Sequence, residues 1–256
     1  MKPMSQPDEE APQPVRGRHR TPRQDPDAAP TRHRWWFLRD AAGVFVIAIL
    51  VSLLIKILLV QAFYIPSASM EPTLHGCPRC VSDWVLVNKQ TSHMGGVQRG
   101  DVVVFSDPGG WLGHGFSTAG PSSRVHEVLA FIGLAPSTSQ NDLVKRVIGV
   151  AGDTVEGRDG KVYVNGVRLV EPYLFPGDSS SDVDFKVTVP ANKLWVMGDH
   201  RSASEDSRFN QQGPGKGFVP LENVQGRAFV IVWPLNRIGS LGRPATFDQP
   251  GVAPKR

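Results

Sequence analysis

Ala41 to Val60, AAGVFVIAILVSLLIKILLV, is a run of twenty residues with one charge, Lys56. A helix rises about 1.5 Å per residue, so this run measures roughly 30 Å, the thickness of a bilayer core. A buried core helix is the other way to hide such a segment, but an apolar surface all the way round, with no polar face, favours lipid. Lys56 stands four residues before Val60, close enough to the end for its stem to lie in lipid while the ammonium reaches the interface. A cleaved leader fits less well. About forty residues precede the run, it exceeds the usual apolar stretch of a leader, and no small-x-small site follows closely. The segment reads as a retained transmembrane anchor. Arg32, Arg34 and Arg39 stand before it, and no Lys or Arg occurs from Gln61 to Pro78. This asymmetry places the N-terminus in the cytoplasm and everything after residue 60 outside.

Residues 1–40 carry seven prolines before Arg32 and almost no apolar run until Trp35, the composition of a disordered cytoplasmic segment. The formal net charge of +4 and pI near 9.2 suit nucleic acid, anionic lipid or neither. There is no basic stripe interleaved with aromatics, no zinc-finger spacing and no helix-turn-helix pattern, which argues against a nucleic-acid partner.

From Gln61 onward the chain consists of short β-branched runs bounded by Gly, Pro, Asn and Asp. They are Trp84 to Asn88, Asp101 to Phe105, Leu143 to Val150, Lys161 to Val164, Leu194 to Met197 and Arg227 to Val232. This is an all-β texture. Asn165-Gly166, between VYV and VRL, is a two-residue hairpin signal, since both central positions of a type I′ turn need positive φ. The weakly patterned stretch 106–141 reads as a surface excursion with one short helix at Arg124 to Ile132. The expected organisation is a mainly β domain over 61–240 and a loosely ordered tail over 241–256.

Three segments carry chemistry. FYIPSASMEPTL, Phe63 to Leu74, follows the anchor directly; taken alone, its Pro-Ser-x-Ser is an ordinary turn. LVKRVIGVAGDTV, Leu143 to Val155, is the second. Strand alternation puts Lys145 on one face with Leu143 and Val147, and turns Val144, Arg146 and Ile148 to the other. A lysine there is either an edge-strand device against aggregation or a functional group. Desolvation by Leu143 and Val147 would disfavour its charge and let a neutral amine accept a serine proton. MGDHRSASEDSR, Met197 to Arg208, is the third.

Together these segments resemble the bacterial type I signal peptidases in motif, order and spacing, over roughly residues 41–240. The resemblance implies a mainly β fold: a single N-terminal transmembrane helix, then an antiparallel β-sheet catalytic domain of the signal peptidase and LexA-like kind. It implies Ser69 as nucleophile and Lys145 as general base, with the Ser67 hydroxyl and the Ser69 backbone N–H as oxyanion hole. Ser204 then orients the lysine, Asp206 and Arg208 form a supporting ion pair, and Gly198 and Asp199 belong to the motif's turn. Small side chains of an Ala-x-Ala site would dock near Phe63, Ile65 and Val144. The implied partners are signal peptides of exported preproteins and membrane lipid, with the secretion translocon nearby and no cofactor or metal.

His200 departs from the family pattern, which has Asn there, and raises a rival Ser/His/Asp triad with Asp199 or Asp206. Neighbouring His and Asp side chains rarely converge on one site, and a triad leaves the lysine segment unexplained. Self-cleaving LexA-like repressors share the Ser/Lys pairing but lack an anchor and carry a DNA-binding domain. A third rival is a non-catalytic exported β-domain that binds a partner through 106–141. Cys77 and Cys80 are read as a short-loop disulfide, because the exported compartment permits oxidation. A redox site would need a βαβ context, and a zinc site more ligands.

Overall fold

The structure is a computed structural model describing residues 31–76, 80–90, 96–112 and 141–252, with side chains described for all of these except 31–37 and 53–58. The chain divides into two units, Met1–Ile47 and Ala48–Arg256. Helix α1, Thr31–Leu59, starts in the first and ends in the second. It begins ahead of the apolar run, so residues 31–40, expected to be disordered, are helical. The reason is local: Pro30 is the last of the N-terminal prolines, and nothing from Thr31 to Leu59 breaks a helix except Gly43. Val44, Phe45, Ile47 and Leu50 on α1 are each more than half exposed. Among the described residues, no helix is long and apolar enough to cross a membrane. The Lys56 side chain lies outside the described residues.

The second unit is built on two antiparallel sheets. The larger contains β1 (Val60–Tyr64), β2 (Trp84–Asn88), β3 (Val102–Ser106), β4 (Asp142–Gly149), β9 (Lys193–Met197), β10 (Val219–Pro220), β11 (Val224–Trp233) and β12 (Gly239–Ser240). Its order is β1-β2-β11-β3-β4-β9-β10, with β12 alongside β11. The smaller contains β5 (Thr154–Arg158), β6 (Lys161–Val164), β7 (Val167–Arg168) and β8 (Phe185–Thr188), in the order β7-β6-β5-β8. The mainly β expectation holds, and each of the six strand runs read from the sequence is a strand to within a few residues.

The large sheet is buried on both faces. Phe63, Ile65, Met70, Val85, Val87, Val102 and Val104 pack on one side. Val103, Phe105, Leu143, Val147, Val196 and Val219 pack on the other. Strand alternation therefore assigns β3 and β4 residues to the two cores in turn. A third core joins the small sheet to the back of β9 through Trp195, which packs on Phe185 and Phe218 at 5.1 and 5.4 Å between ring centroids.

Two tight hairpins bound β6. Asn165 and Gly166 have φ of 53° and 83°, as the type I′ reading requires, and Asp159 and Gly160 repeat the geometry at 50° and 70°. The second turn, also legible as Asp-Gly between strands, escaped the sequence reading. Of the expected excursion 106–141, Ser106 closes β3. The Asp107 carboxylate accepts from the backbone N–H groups of Gly109, Gly110, Trp111 and Leu112, and Trp111 packs edge-on against Phe105. The helix expected at Arg124 to Ile132 lies outside the described residues. So does Cys77, while Cys80 is disulfide-bonded.

The tail is not loose up to residue 252. Phe247 and Val252 are buried in the third core, with Phe247 stacked on Tyr173. Asn165 fastens it: its Nδ2 donates to Val252 O and to Asp153 Oδ1, and its Oδ1 accepts from Thr154 N. Asn165→Ala removes these bonds and forces a Cβ-bearing residue without a local partner into the left-handed region. It should destabilise the domain by about 2 kcal/mol or more, read as a lower urea midpoint, and should expose the C-terminus to carboxypeptidase.

Candidate active site

Ser69 sits on a single 3-10 turn, Ala68–Met70, just beyond β1. Met70 and Leu74 are fully buried in the core beneath, which fixes the turn's rotation and leaves Ser69 facing inward with 6% of its surface exposed. The Glu71 N–H donates to Ala68 O and closes the turn. Ser67, immediately before it, has its Oγ 3.2 Å from the Ser69 Oγ.

Lys145 comes from β4, an interior strand flanked by β3 and β9, so the edge-strand alternative does not apply. It pairs with Val103, lies between Leu143 and Val147, and is 3% exposed. Its Nζ is 2.6 Å from the Ser69 Oγ. Burial pulls the ammonium down from 10.5 to about 8; Asp206, Asp199 and Glu205 push back, and Arg208 adds to the lowering.

The two side chains open onto a cavity of about 630 Å³. Ile65, Ser67, Met70, Leu143, Val144, Ser204 and Phe209 line it, and most of this surface is apolar. Ile65 and Val144, two of the three residues expected to dock small side chains, are on its wall. Phe63, two residues before Ile65 in the same core, is not among the residues that line the cavity and is 3% exposed.

The third segment runs out of β9. A Cβ on Gly198 would collide with the Ser204 side chain and the Ser69 carbonyl, so only glycine lets these backbones approach. Asp199 is fully buried and paired through two bonds with Arg146, Nε to Oδ1 at 2.8 Å and Nη2 to Oδ2 at 2.6 Å, and the Thr73 hydroxyl donates to it. Asp206 is paired in the same way with Arg208, both fully buried, and also accepts from the Gly198 N–H. The Ser204 hydroxyl lines the cavity and donates to Asp206 Oδ2 at 2.8 Å.

These contacts leave no triad. Both carboxylates are occupied by arginines, and the His200 ring stacks on Phe175 at 3.9 Å with Nδ1 3.2 Å from Ala68 O. Sequence reading missed three supports of the site. Arg146 is one, although its place beside Val144 and Ile148 on an apolar face was a signal of a buried, paired cation. Thr73 is another. The last is Arg201, buried against Glu171 and donating to Gly198 O, for which a lone arginine in a loop motif offers no signal. Among the described residues, no group of three or more His, Cys, Asp or Glu side chains is placed to hold a metal ion.

Comparison with known proteins bears on the whole unit. Residues 38–233 match the model of the family described as signal peptidase, peptidase S26. The chain is 41% identical over 235 residues to a probable signal peptidase I of Mycobacterium leprae, covering 80% of this chain and 79% of that one. It is 41% identical over 225 residues to the signal peptidase I of Mycobacterium tuberculosis, covering 79% and 74%. Against the signal peptidase I T of Bacillus subtilis it is 31% identical over 201 residues, covering 75% and 84%. By the extent of the family match and by these identities, the chain belongs to the signal peptidase family, peptidase S26.

Proposed function

We propose that the chain is a membrane-anchored serine endopeptidase that removes signal peptides from exported preproteins, cutting after small residues. The observation that carries the reading is the buried Lys145 amine 2.6 Å from the Ser69 hydroxyl at the floor of an apolar cavity. An amine held near 8 is largely neutral just above that pH and can accept a proton, whereas an exposed lysine cannot.

In this mechanism the Ser69 Oγ attacks the scissile carbonyl and its proton passes to Nζ of Lys145. The tetrahedral oxyanion is held by the Ser67 hydroxyl and the Ser69 backbone N–H. Collapse breaks the peptide bond, the ammonium returns the proton to the leaving amine, and an acyl-enzyme on Ser69 remains. Water then attacks the ester, again losing its proton to Lys145, and the serine is regenerated. Ser204 and the Asp206–Arg208 pair position the lysine side of the cavity. Ile65 and Val144 form shallow apolar walls for an Ala-x-Ala site, with Phe63 backing Ile65 from the core.

The apolar sequence of α1 and its exposed Val44, Phe45, Ile47 and Leu50 support a single membrane anchor over 41–60. In this topology the arginines before it stay in the cytoplasm, the domain from residue 61 is extracytoplasmic, and the translocon is close by. Tethering beside the substrate's own apolar segment raises the effective concentration of the cleavage site. The oxidised Cys80 accords with an exported domain, where a bond to Cys77 would close a short loop.

Detergent-solubilised full-length protein should cleave a fluorogenic peptide bearing an Ala-x-Ala site. Ser69→Ala and Lys145→Ala should each remove at least about a thousandfold of kcat, and Ser67→Ala about a hundredfold with little change in KM. If both dyad variants still process preproteins, the partner-binding reading replaces this one. The pH profile of kcat/KM should rise through an apparent pKa of about 8 as Lys145 neutralises.

Stability supplies an independent check. The folded pKa lies below the unfolded one, so between about 8 and 10.5 the unfolded chain binds more protons and stability rises with pH. Below that window the buried ammonium costs its full amount. Lys145→Met should therefore raise Tm at pH 7, and its advantage over the natural protein should shrink as pH approaches 10.

A further inference from the structure

One residue holds the two successive peptide units on either side of Ser69, Ala68–Ser69 and Ser69–Met70, each by its carbonyl. The His200 backbone N–H donates to Ser69 O at 3.1 Å, and its ring Nδ1 lies 3.2 Å from Ala68 O. A carbonyl only accepts, so Nδ1 carries the proton in this contact. The ring is not free to swing: it stacks face to face on Phe175, centroids 3.9 Å apart and planes within 12°. Phe175 is itself tied by its N–H to the carbonyl of Asp199, the residue that Arg146 grips.

A trans peptide is planar, with its C=O and N–H pointing in opposite directions. Fixing the Ala68 carbonyl therefore fixes the direction of the Ser69 N–H. A hydrogen bond received at the oxygen also polarises the amide and strengthens its N–H as a donor. Ala68 O receives two, from the Glu71 N–H and from His200.

We infer that His200 is a positioning residue for the oxyanion hole: its Nδ1–H, donated to Ala68 O, orients and polarises the peptide whose N–H, at Ser69, receives the oxyanion. The inference rests on the reading of Ser69 as nucleophile. It gives the histidine a role in which it moves no proton and touches no substrate. A side-chain amide at this position can supply the same donor, since the Nδ2 of asparagine falls close to where the Nδ1 of histidine lies.

The test uses full-length protein in detergent with the fluorogenic Ala-x-Ala peptide and a peptide boronate, whose serine adduct places an oxygen in the oxyanion position. His200→Phe keeps the stacking and loses the donor. It should lower kcat and boronate affinity together by about tenfold, less than loss of a whole oxyanion donor, with KM within about twofold. His200→Asn and His200→Asp are nearly equal in shape and differ in donor against acceptor. The Asn variant should stay within about threefold of the natural enzyme and the Asp variant should fall at least tenfold below it, which keeps the test decisive should the Phe variant not fold. The inference is overturned if His200→Phe retains full kcat, if kcat falls without boronate affinity, or if the Asn and Asp variants behave alike. Persisting cleavage by Ser69→Ala would instead remove the nucleophile reading; its loss in Ser69→Ala beside full activity in His200→Phe removes only the role of His200.

Discussion

Lys145 and Arg146 are neighbours on β4, and the pleat sends them to opposite faces of the sheet. One face receives an amine whose charge is disfavoured by burial, the other a guanidinium that keeps its charge. The guanidinium is satisfied by Asp199 from the third segment, the Gly100 carbonyl before β3 and, more distantly, the Thr73 hydroxyl beyond the turn that carries Ser69. Thr73 in turn donates to Asp199. One buried ion pair thereby joins the three motif-bearing stretches of chain. Removing either partner would leave an uncompensated charge in the core, a loss of about 3 to 5 kcal/mol for pairs of this kind. The placement of Ser69 against Lys145 depends on this clamp.

The electrostatic design around the site is a contrast between paired and unpaired cations. Arg146 with Asp199, Arg201 with Glu171, Arg208 with Asp206 and Arg99 with Asp153 are each matched to a carboxylate that is almost wholly buried. Among the described residues, Lys145 alone of the buried cations makes no ion pair; its amine donates to the Ser69 hydroxyl. Of the carboxylates that favour its charge, Asp199 is paired with Arg146, and Asp206 is paired with Arg208 and accepts from Ser204. Desolvation therefore outweighs attraction, and the amine sits near 8.

Much of this was legible along the chain because its causes are local. The β-branched runs became β2, β3, β4, β6, β9 and β11, since period-two burial needs only the strand itself to be read. Asn165-Gly166 declared its turn through the positive φ that few residues accept. Lys145 on an apolar face was visible for the same reason, and the same alternation should have marked Arg146. The tail was misread because Phe247 and Val252 are isolated apolar residues whose burial depends on Asn165 and the third core, both distant in sequence. Residues 31–40 were misread because proline density upstream masked a segment that contains none.

The sequence by itself determined the β texture, the order of the three motifs, the unusual apolar surroundings of Lys145 and the family resemblance that singles out Ser69. These depend on residue type and short spacing, which the chain carries explicitly. Only the tertiary structure decided that Ser69 and Lys145 meet, that Phe63 faces the core rather than the cavity, that Asp199 serves Arg146, and that His200 faces a carbonyl instead of the serine hydroxyl. Each of those outcomes is a contact between segments far apart in sequence, set by which strands neighbour β4 and by how closely Gly198 lets the backbone approach Ser69. No period or spacing within a single segment encodes that geometry.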